Sequence, residues 1–179
     1  MKNKKFVAPL AVLAIAAVIL FGASVLLKPI AAANKEKDIQ QIRTLLLPGS
    51  EVFTEEIYEG EDTNITAVYK AENGYVIETK VAGYVDDIVT MVGVDASGAV
   101  TGVYIMDMNE TFGLGRRAMT DLAFLGQYIG TKGEAEIGTD IDALSGATVT
   151  SKAVTKAVNS AAAYVTGADV SSGATEWGG

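Results

Sequence analysis

The chain has 179 residues, no Cys, no His and a formal net charge of −8. That composition excludes thiolate-held iron–sulfur clusters, thioether-linked haem, disulfides, Ser-His-Asp hydrolase chemistry and the usual zinc sites. It equally excludes a flavin attached through its ring methyl to His or Cys, so any electron carrier here needs an organic cofactor held by other means.

Phe6 to Leu27 carries no charged residue. Its 22 positions span roughly 33 Å as a helix, enough for a hydrocarbon core of about 30 Å. Lys2, Lys4 and Lys5 precede the run and Lys28 closes it. The positive-inside rule then puts the N-terminus in the cytoplasm and the remainder outside, in a single-pass arrangement in the cell membrane. The rival reading is a cleaved signal peptide ending at Ala31-Ala32-Ala33. A secretory apolar region usually has ~7–15 residues, and this one is longer, so a retained anchor is expected. The first 28 residues hold four Lys and no acid, and the rest hold ten basic and 22 acidic side chains, a net −12. An acidic domain of that kind argues against nucleic acid and against docking on anionic lipid. Solubility is sufficient reason for the charge.

Asn34 to Leu47 is polar, with Ile39, Ile42, Leu45 and Leu46 at helical spacing, and Pro48-Gly49 stops it. This predicts a juxtamembrane helix. Asn64 to Ala71 is β-rich. Glu72-Asn73-Gly74 reads as a turn, with Asn73-Gly74 as a hairpin cue. Tyr75, Ile77, Thr79 and Val81 then alternate with Glu78 and Lys80, a strand with one wetted face. Ile88 to Val94 and Val100 to Met108 are two further strands about the turn Asp95-Ala96-Ser97-Gly98. Ala118 to Tyr128 looks helical, and Lys152 to Thr166 is a stronger helix with Val154, Val158, Ala161 and Val165 on one stripe. The fold class is therefore α+β: one N-terminal transmembrane helix, then an antiparallel sheet packed with helices. The expected divisions are the cytoplasmic start and anchor at 1–28, the juxtamembrane helix and connection at 29–63, one domain at 64–166 and a Gly- and Ser-rich tail at 167–179.

Two loops carry the chemistry. Asp142-Ala143-Leu144-Ser145-Gly146-Ala147-Thr148 opens onto the second helix. Ser145, Gly146 and Ala147 leave room for a large group to approach the backbone. The helix start offers unpaired N–H groups to an anion, which makes a seat for a phosphate and leaves Thr148 to carry it covalently. Glu110-Thr111-Phe112-Gly113-Leu114-Gly115 follows the last strand. Its two glycines flank Leu114 in a tight turn, offering an apolar face and backbone N–H groups to a flat ring. Glu110, Asp107, Asp140 and Asp142 show no pairing that marks an acid–base enzyme, and surface solvation accounts for each; no catalytic or metal-ligating residue is expected. Ser172-Gly173-Ala174-Thr175 repeats the tetrad, with Asp169 three residues upstream as Asp142 is of Ser145. Thr148 is favoured over Thr175 because it opens a convincing helix, whereas Thr175 lies in a chain end with only Trp177 to anchor it.

These motifs together resemble the FMN-binding domain family, seen in the G subunit of the Rnf complex and the C subunit of the sodium-pumping NADH:quinone reductase. In that family FMN is esterified through its phosphate to the last Thr of Ser/Thr-Gly-Ala-Thr, which is Thr148 here. The hexad resembles the family's Glu-Thr-Pro-Gly-Leu-Gly, with Phe112 in place of Pro, so the resemblance implies that Glu110, Thr111, Gly113, Leu114 and Gly115 line the flavin. Phe112 adds an aromatic face for the ring. Gly93-Val94-Asp95, Gly98, Val100 and Gly102-Val103 resemble the family's central hairpin. The resemblance also implies a separate magnesium-dependent flavin transferase, with Asp142 in the sequence it reads, and an electron relay. Size, single anchor and external domain match the Rnf protein best, with other subunits of a membrane ion-translocating complex as partners. The sodium-pumping reductase protein and a free-standing flavin carrier are the alternatives within the family. A non-redox membrane-anchored interaction domain is the alternative of another class.

Overall fold

A computed structural model describes residues 4–167. The second tetrad, Asp169 and Trp177 lie outside the described residues. The chain divides into two compact units, 1–41 and 42–179. Helix α1 runs Lys4–Leu46. It contains a stretch, Ala16–Leu46, long and apolar enough to cross a membrane by length and composition.

The second unit holds a five-stranded antiparallel sheet in the order β1-β2-β3-β4-β5. Its strands are β1 Thr54–Glu56, β2 Ile65–Ala71, β3 Gly74–Ala82, β4 Asp87–Asp95 and β5 Val100–Asp107. Four of the five fall where alternation and β-branched content predict them. The short edge strand β1 has no such pattern and exists because Thr54, Glu55 and Glu56 pair with Lys70, Tyr69 and Val68. The β2–β3 hairpin turns on Glu72–Asn73, with Ala71 opposite Gly74. The expected turn therefore shifts by one residue, and Gly74 opens β3. There it pairs with Asp95 while the Asn73 carbonyl accepts from the Ala96 amide at 2.9 Å.

One face of the sheet makes the main core. Ile77, Val81, Ile88, Val92 and Val94 point to it and are buried. Helix α3, Thr148–Thr166, covers that face. Its stripe of Val154, Ala157, Val158, Ala161 and Ala162 is fully buried, and the small side chains let helix and sheet approach closely. The helix start is four residues earlier than the apolar stripe predicts. Val149 and Thr150 are β-branched and weak helix formers. They are helical because the Ser151 amide and hydroxyl both bond the Ala147 carbonyl, at 2.9 and 3.0 Å. The expected helix over Ala118 to Tyr128 is instead two pieces, a 3-10 turn Gly115–Met119 and a short helix α2, Leu122–Gly126. The break falls at Asp121, whose non-helical backbone lets its carboxylate cap the Phe124 amide at 3.1 Å.

The other face, expected to be wet, is dry at one end. Val76 and Met91 are buried there, while Glu78 is half-buried and Lys80 exposed. The last turn of α1 covers the dry end. Leu46 and Leu47 are buried, and the Thr101 hydroxyl donates to the Leu46 carbonyl at 2.5 Å. The Arg43 guanidinium lies 3.6 Å from the centre of the Tyr69 ring. Gly93 and Gly102 pair across β4 and β5 directly under this turn, and a Cβ on Gly93 would overlap the Leu46 carbonyl. The hairpin glycines thus make a flat seat for the helix end.

The β4–β5 turn is held by Asp95, whose Oδ1 accepts from the Ser97 amide at 2.8 Å and the Ala99 amide at 3.0 Å. Hydrogen bonding from Ser97 keeps this carboxyl below its ordinary 3.8. A depressed folded value stabilises the fold above the unfolded value and is lost as pH falls through the folded one. Asp95→Ala is expected to lower stability by about 0.5–1 kcal/mol at pH 7, allowing for solvent exposure. Urea unfolding should show that difference shrinking as pH drops below 3.8.

Candidate functional site

The end of β5, the 3-10 turn and the start of α3 meet around a cleft of about 580 Å³. One wall is the hexad: Glu110, Thr111, Leu114 and Gly115 line it. The facing wall is Gly146, Ala147, Thr148, Val149 and Thr150, and Tyr84 from the β3–β4 connection completes the rim. Two loops about 30 residues apart in sequence are thereby brought together, as the motifs lead one to expect.

The α3 wall is built by a turn that leads straight into helix. The Ala147 amide donates to the Leu144 carbonyl at 2.9 Å, closing a turn with Gly146 at φ 74°. Only glycine adopts that conformation without strain. A Cβ there would also come within 3.1 Å of the Leu114 side chain. The buried Ser151 hydroxyl ties the turn from behind, accepting from the Leu144 amide at 3.0 Å and donating to the Ala147 carbonyl at 3.0 Å. No side chain caps α3 at Ala147. The amides of Thr148, Val149 and Thr150 therefore have no partner within the helix, and they carry the positive end of its dipole. Thr148 is exposed beside them.

The hexad wall has a different logic. Leu114 is partly exposed and offers its side chain to the cleft. Gly113 takes φ 77° to make the turn but does not line the cleft. Phe112 is 88% exposed and also lies outside the lining, so it presents no face to a ring in the cleft. Glu110 is only 5% exposed. Its Oε1 accepts from the Tyr84 and Val85 amides, both at 2.9 Å, and its Oε2 accepts from the Thr150 hydroxyl at 2.6 Å.

Seven of the expected site residues thus line one cleft: Glu110, Thr111, Leu114, Gly115, Gly146, Ala147 and Thr148. Ser145 sits exposed in the turn behind it, outside the lining. Asp142 is exposed as well, and its backbone is fixed by Gln127, whose Oε1 accepts from the Asp142 amide at 2.7 Å. Tyr84, Val149 and Thr150 are lining residues that the motifs do not select. Thr150 was legible in principle as a second hydroxyl just past the tetrad; Tyr84 had no local signal. Among the described residues no group of three or more Asp and Glu is placed to hold a metal ion.

The geometry suits a phosphorylated ring compound. The volume lies within the usual range for small-molecule pockets, about 300–1,000 Å³. Leu114, Ala147, Val149 and Tyr84 give it apolar surface. The uncapped α3 amides suit a phosphate, and the exposed Thr148 hydroxyl stands at the same place.

Residues 83–163 match the model of the FMN-binding domain. The chain is 32% identical over 133 residues to the G subunit of the Na(+)-translocating ferredoxin:NAD(+) oxidoreductase complex of Acetobacterium woodii, covering 69% of this chain and 61% of that one. It is 38% identical over 110 residues to the G subunit of the proton-translocating ferredoxin:NAD(+) oxidoreductase complex of Clostridium ljungdahlii, covering 55% and 59%. Against the G subunit of the ion-translocating oxidoreductase complex of Methanosarcina acetivorans the identity is 34% over 113 residues, covering 60% and 57%. The chain therefore spans about 60% of the length of the relatives it matches.

Proposed function

Because residues 83–163 belong to the FMN-binding domain family, we propose that this chain is an electron-transfer subunit carrying FMN esterified through its phosphate to Thr148. The observation that carries this reading is the exposed Thr148 at the uncapped N-terminus of α3, inside a cleft large enough for a flavin. Bound there, FMN supplies reversible electron transfer. The chain's part is to fix and shield it: the α3 amides hold the phosphate, Leu114 and Tyr84 offer apolar contact, and the covalent bond prevents loss to solvent.

A threonine hydroxyl is a weak nucleophile and needs a base or a metal. The cleft's own carboxylate, Glu110, is buried and accepts from the Tyr84 and Val85 amides and the Thr150 hydroxyl, not from Thr148. The resemblance to the family implies that a separate magnesium-dependent flavin transferase makes the attachment from FAD. The Thr148 oxygen forms a bond to the FMN-side phosphorus, the pyrophosphate bond breaks, AMP leaves, and the hydroxyl proton passes to a base on the transferase. The exposed Asp142 is available for that enzyme to read.

The relatives are G subunits of ion-translocating complexes, which supports a place in an Rnf-type membrane assembly with other subunits as partners. The apolar run 6–27 serves as the anchor, with the N-terminus cytoplasmic and the flavin domain outside. The test is the intact mass of the full chain after co-expression with a flavin transferase and denaturation. The expected result is a gain of FMN less one water, mapped to the peptide containing Thr148. An unmodified mass from an active transferase would refute the covalent reading.

A further inference from the structure

Glu110 stands apart from the other cleft residues because its buried carboxylate joins its own segment to two distant ones. Its Oε1 holds the Tyr84 and Val85 amides of the β3–β4 connection. Its Oε2 holds Thr150 in the first turn of α3. Its own backbone begins the hexad. The surroundings are shaped to admit this carboxylate and nothing larger. A Cβ on Gly83 would lie 2.5 Å from Oε1, and one on Gly115 would lie 2.8 Å from Oε2. Glycine on both sides thus leaves the carboxylate its space. Both oxygens accept, and the three donors come from positions 25, 26 and 40 residues away.

Building on the proposed FMN attachment, we propose that Glu110 is a positioning residue: it sets the cleft's shape before any cofactor arrives by tying its two walls and its rim together, and it acts through Thr150 and the Tyr84–Val85 backbone rather than on the flavin. The role depends on the length of the side chain and on its acceptor geometry. An amide can reproduce that geometry. Its oxygen accepts from the two backbone amides, and its nitrogen donates to the Thr150 oxygen once that hydroxyl turns. A side chain one methylene shorter cannot span the same three donors.

The experiment compares the full chain with Glu110→Gln, Glu110→Asp and Glu110→Ala. Hydrogen exchange on the unmodified chains reads the Tyr84 and Val85 amides directly. Slow exchange is expected in the wild type and Glu110→Gln, and at least tenfold faster exchange in Glu110→Asp and Glu110→Ala. Amides of the β3–β4 ladder should stay protected in all four, which separates loss of the clamp from loss of the fold. Flavin attachment followed by mass should then be near the wild-type rate for Glu110→Gln and at least tenfold slower for Glu110→Asp and Glu110→Ala. Two results would overturn the proposal. One is Glu110→Asp matching the wild type in both readouts. The other is Glu110→Gln keeping slow Tyr84 and Val85 exchange yet failing in attachment as badly as Glu110→Ala, which would make Glu110 a charge acting on the flavin. A wild-type chain whose Tyr84 and Val85 amides respond as expected but which never acquires flavin would keep the clamp and remove the attachment reading. The reverse pattern would remove only the clamp.

Discussion

Thr148→Ala is expected to abolish flavin attachment completely, while Thr150→Val and Thr175→Ala still acquire one FMN each. Thr148 and Thr150 are alike in chemistry and differ in setting. Thr148 is exposed at the first helical position of α3, next to amides that lack helical partners. Thr150, two residues on, is 2% exposed and donates to Glu110 at 2.6 Å. On distance alone that pair looks like a nucleophile with its base. Burial decides against it, since a transferase cannot bring a dinucleotide to a hydroxyl facing inward between two walls. Thr150→Val leaves Thr148 untouched, so attachment slows with the loosened clamp while the endpoint mass stays the same. Thr148→Ser should restore attachment because it keeps the hydroxyl. The measurement is intact mass with peptide mapping, after exhaustive reaction with the transferase. Flavin retained in Thr148→Ala would move the site elsewhere in the chain.

Gly93→Val is expected to destabilise the domain by about 3 kcal/mol, the upper part of the usual range for overpacking. Gly93 sits opposite Gly102 and beneath the last turn of α1. Its missing side chain is the space that the Leu46 carbonyl occupies, and the Thr101 hydroxyl is 2.6 Å from where a Cβ would stand. Neither neighbour yields cheaply. The Leu46 oxygen is backbone, and Thr101 is held by its bond to that same carbonyl. The helix end must lift, which breaks the bond and exposes part of the dry face around Val76 and Met91. Urea unfolding of the full chain in detergent gives the difference, with Lys80→Ala as a control on the wet part of the same face. An unchanged midpoint for Gly93→Val would mean that the α1 turn does not rest on this glycine pair.

Features that depend on neighbouring residues were legible in the chain before folding. Period-two alternation marked β3 because the side chains of a strand face opposite sides of its sheet, and β-rich runs bounded by turns marked β2, β4 and β5. The valine and alanine stripe marked the body of α3, and Ser145-Gly146-Ala147-Thr148 marked a turn whose Gly146 takes a positive φ. Absent Cys and His narrowed the chemistry before any fold was known. Features that depend on residues far apart came only from long-range packing. Val149 and Thr150 are poor helix formers locally, and they became helical through Ser151 bonding back to the turn and through burial of the α3 stripe. Thr54–Glu56 became a strand only because β2 offered an open edge. The hexad's Glu110 reads as a flavin contact in sequence. In space it bonds groups 25 to 40 residues away, which no local pattern encodes, and so it holds the cleft together from within. Phe112 points away from the cleft because Gly113, at φ 77°, turns the backbone so that Leu114 rather than Phe112 lines it.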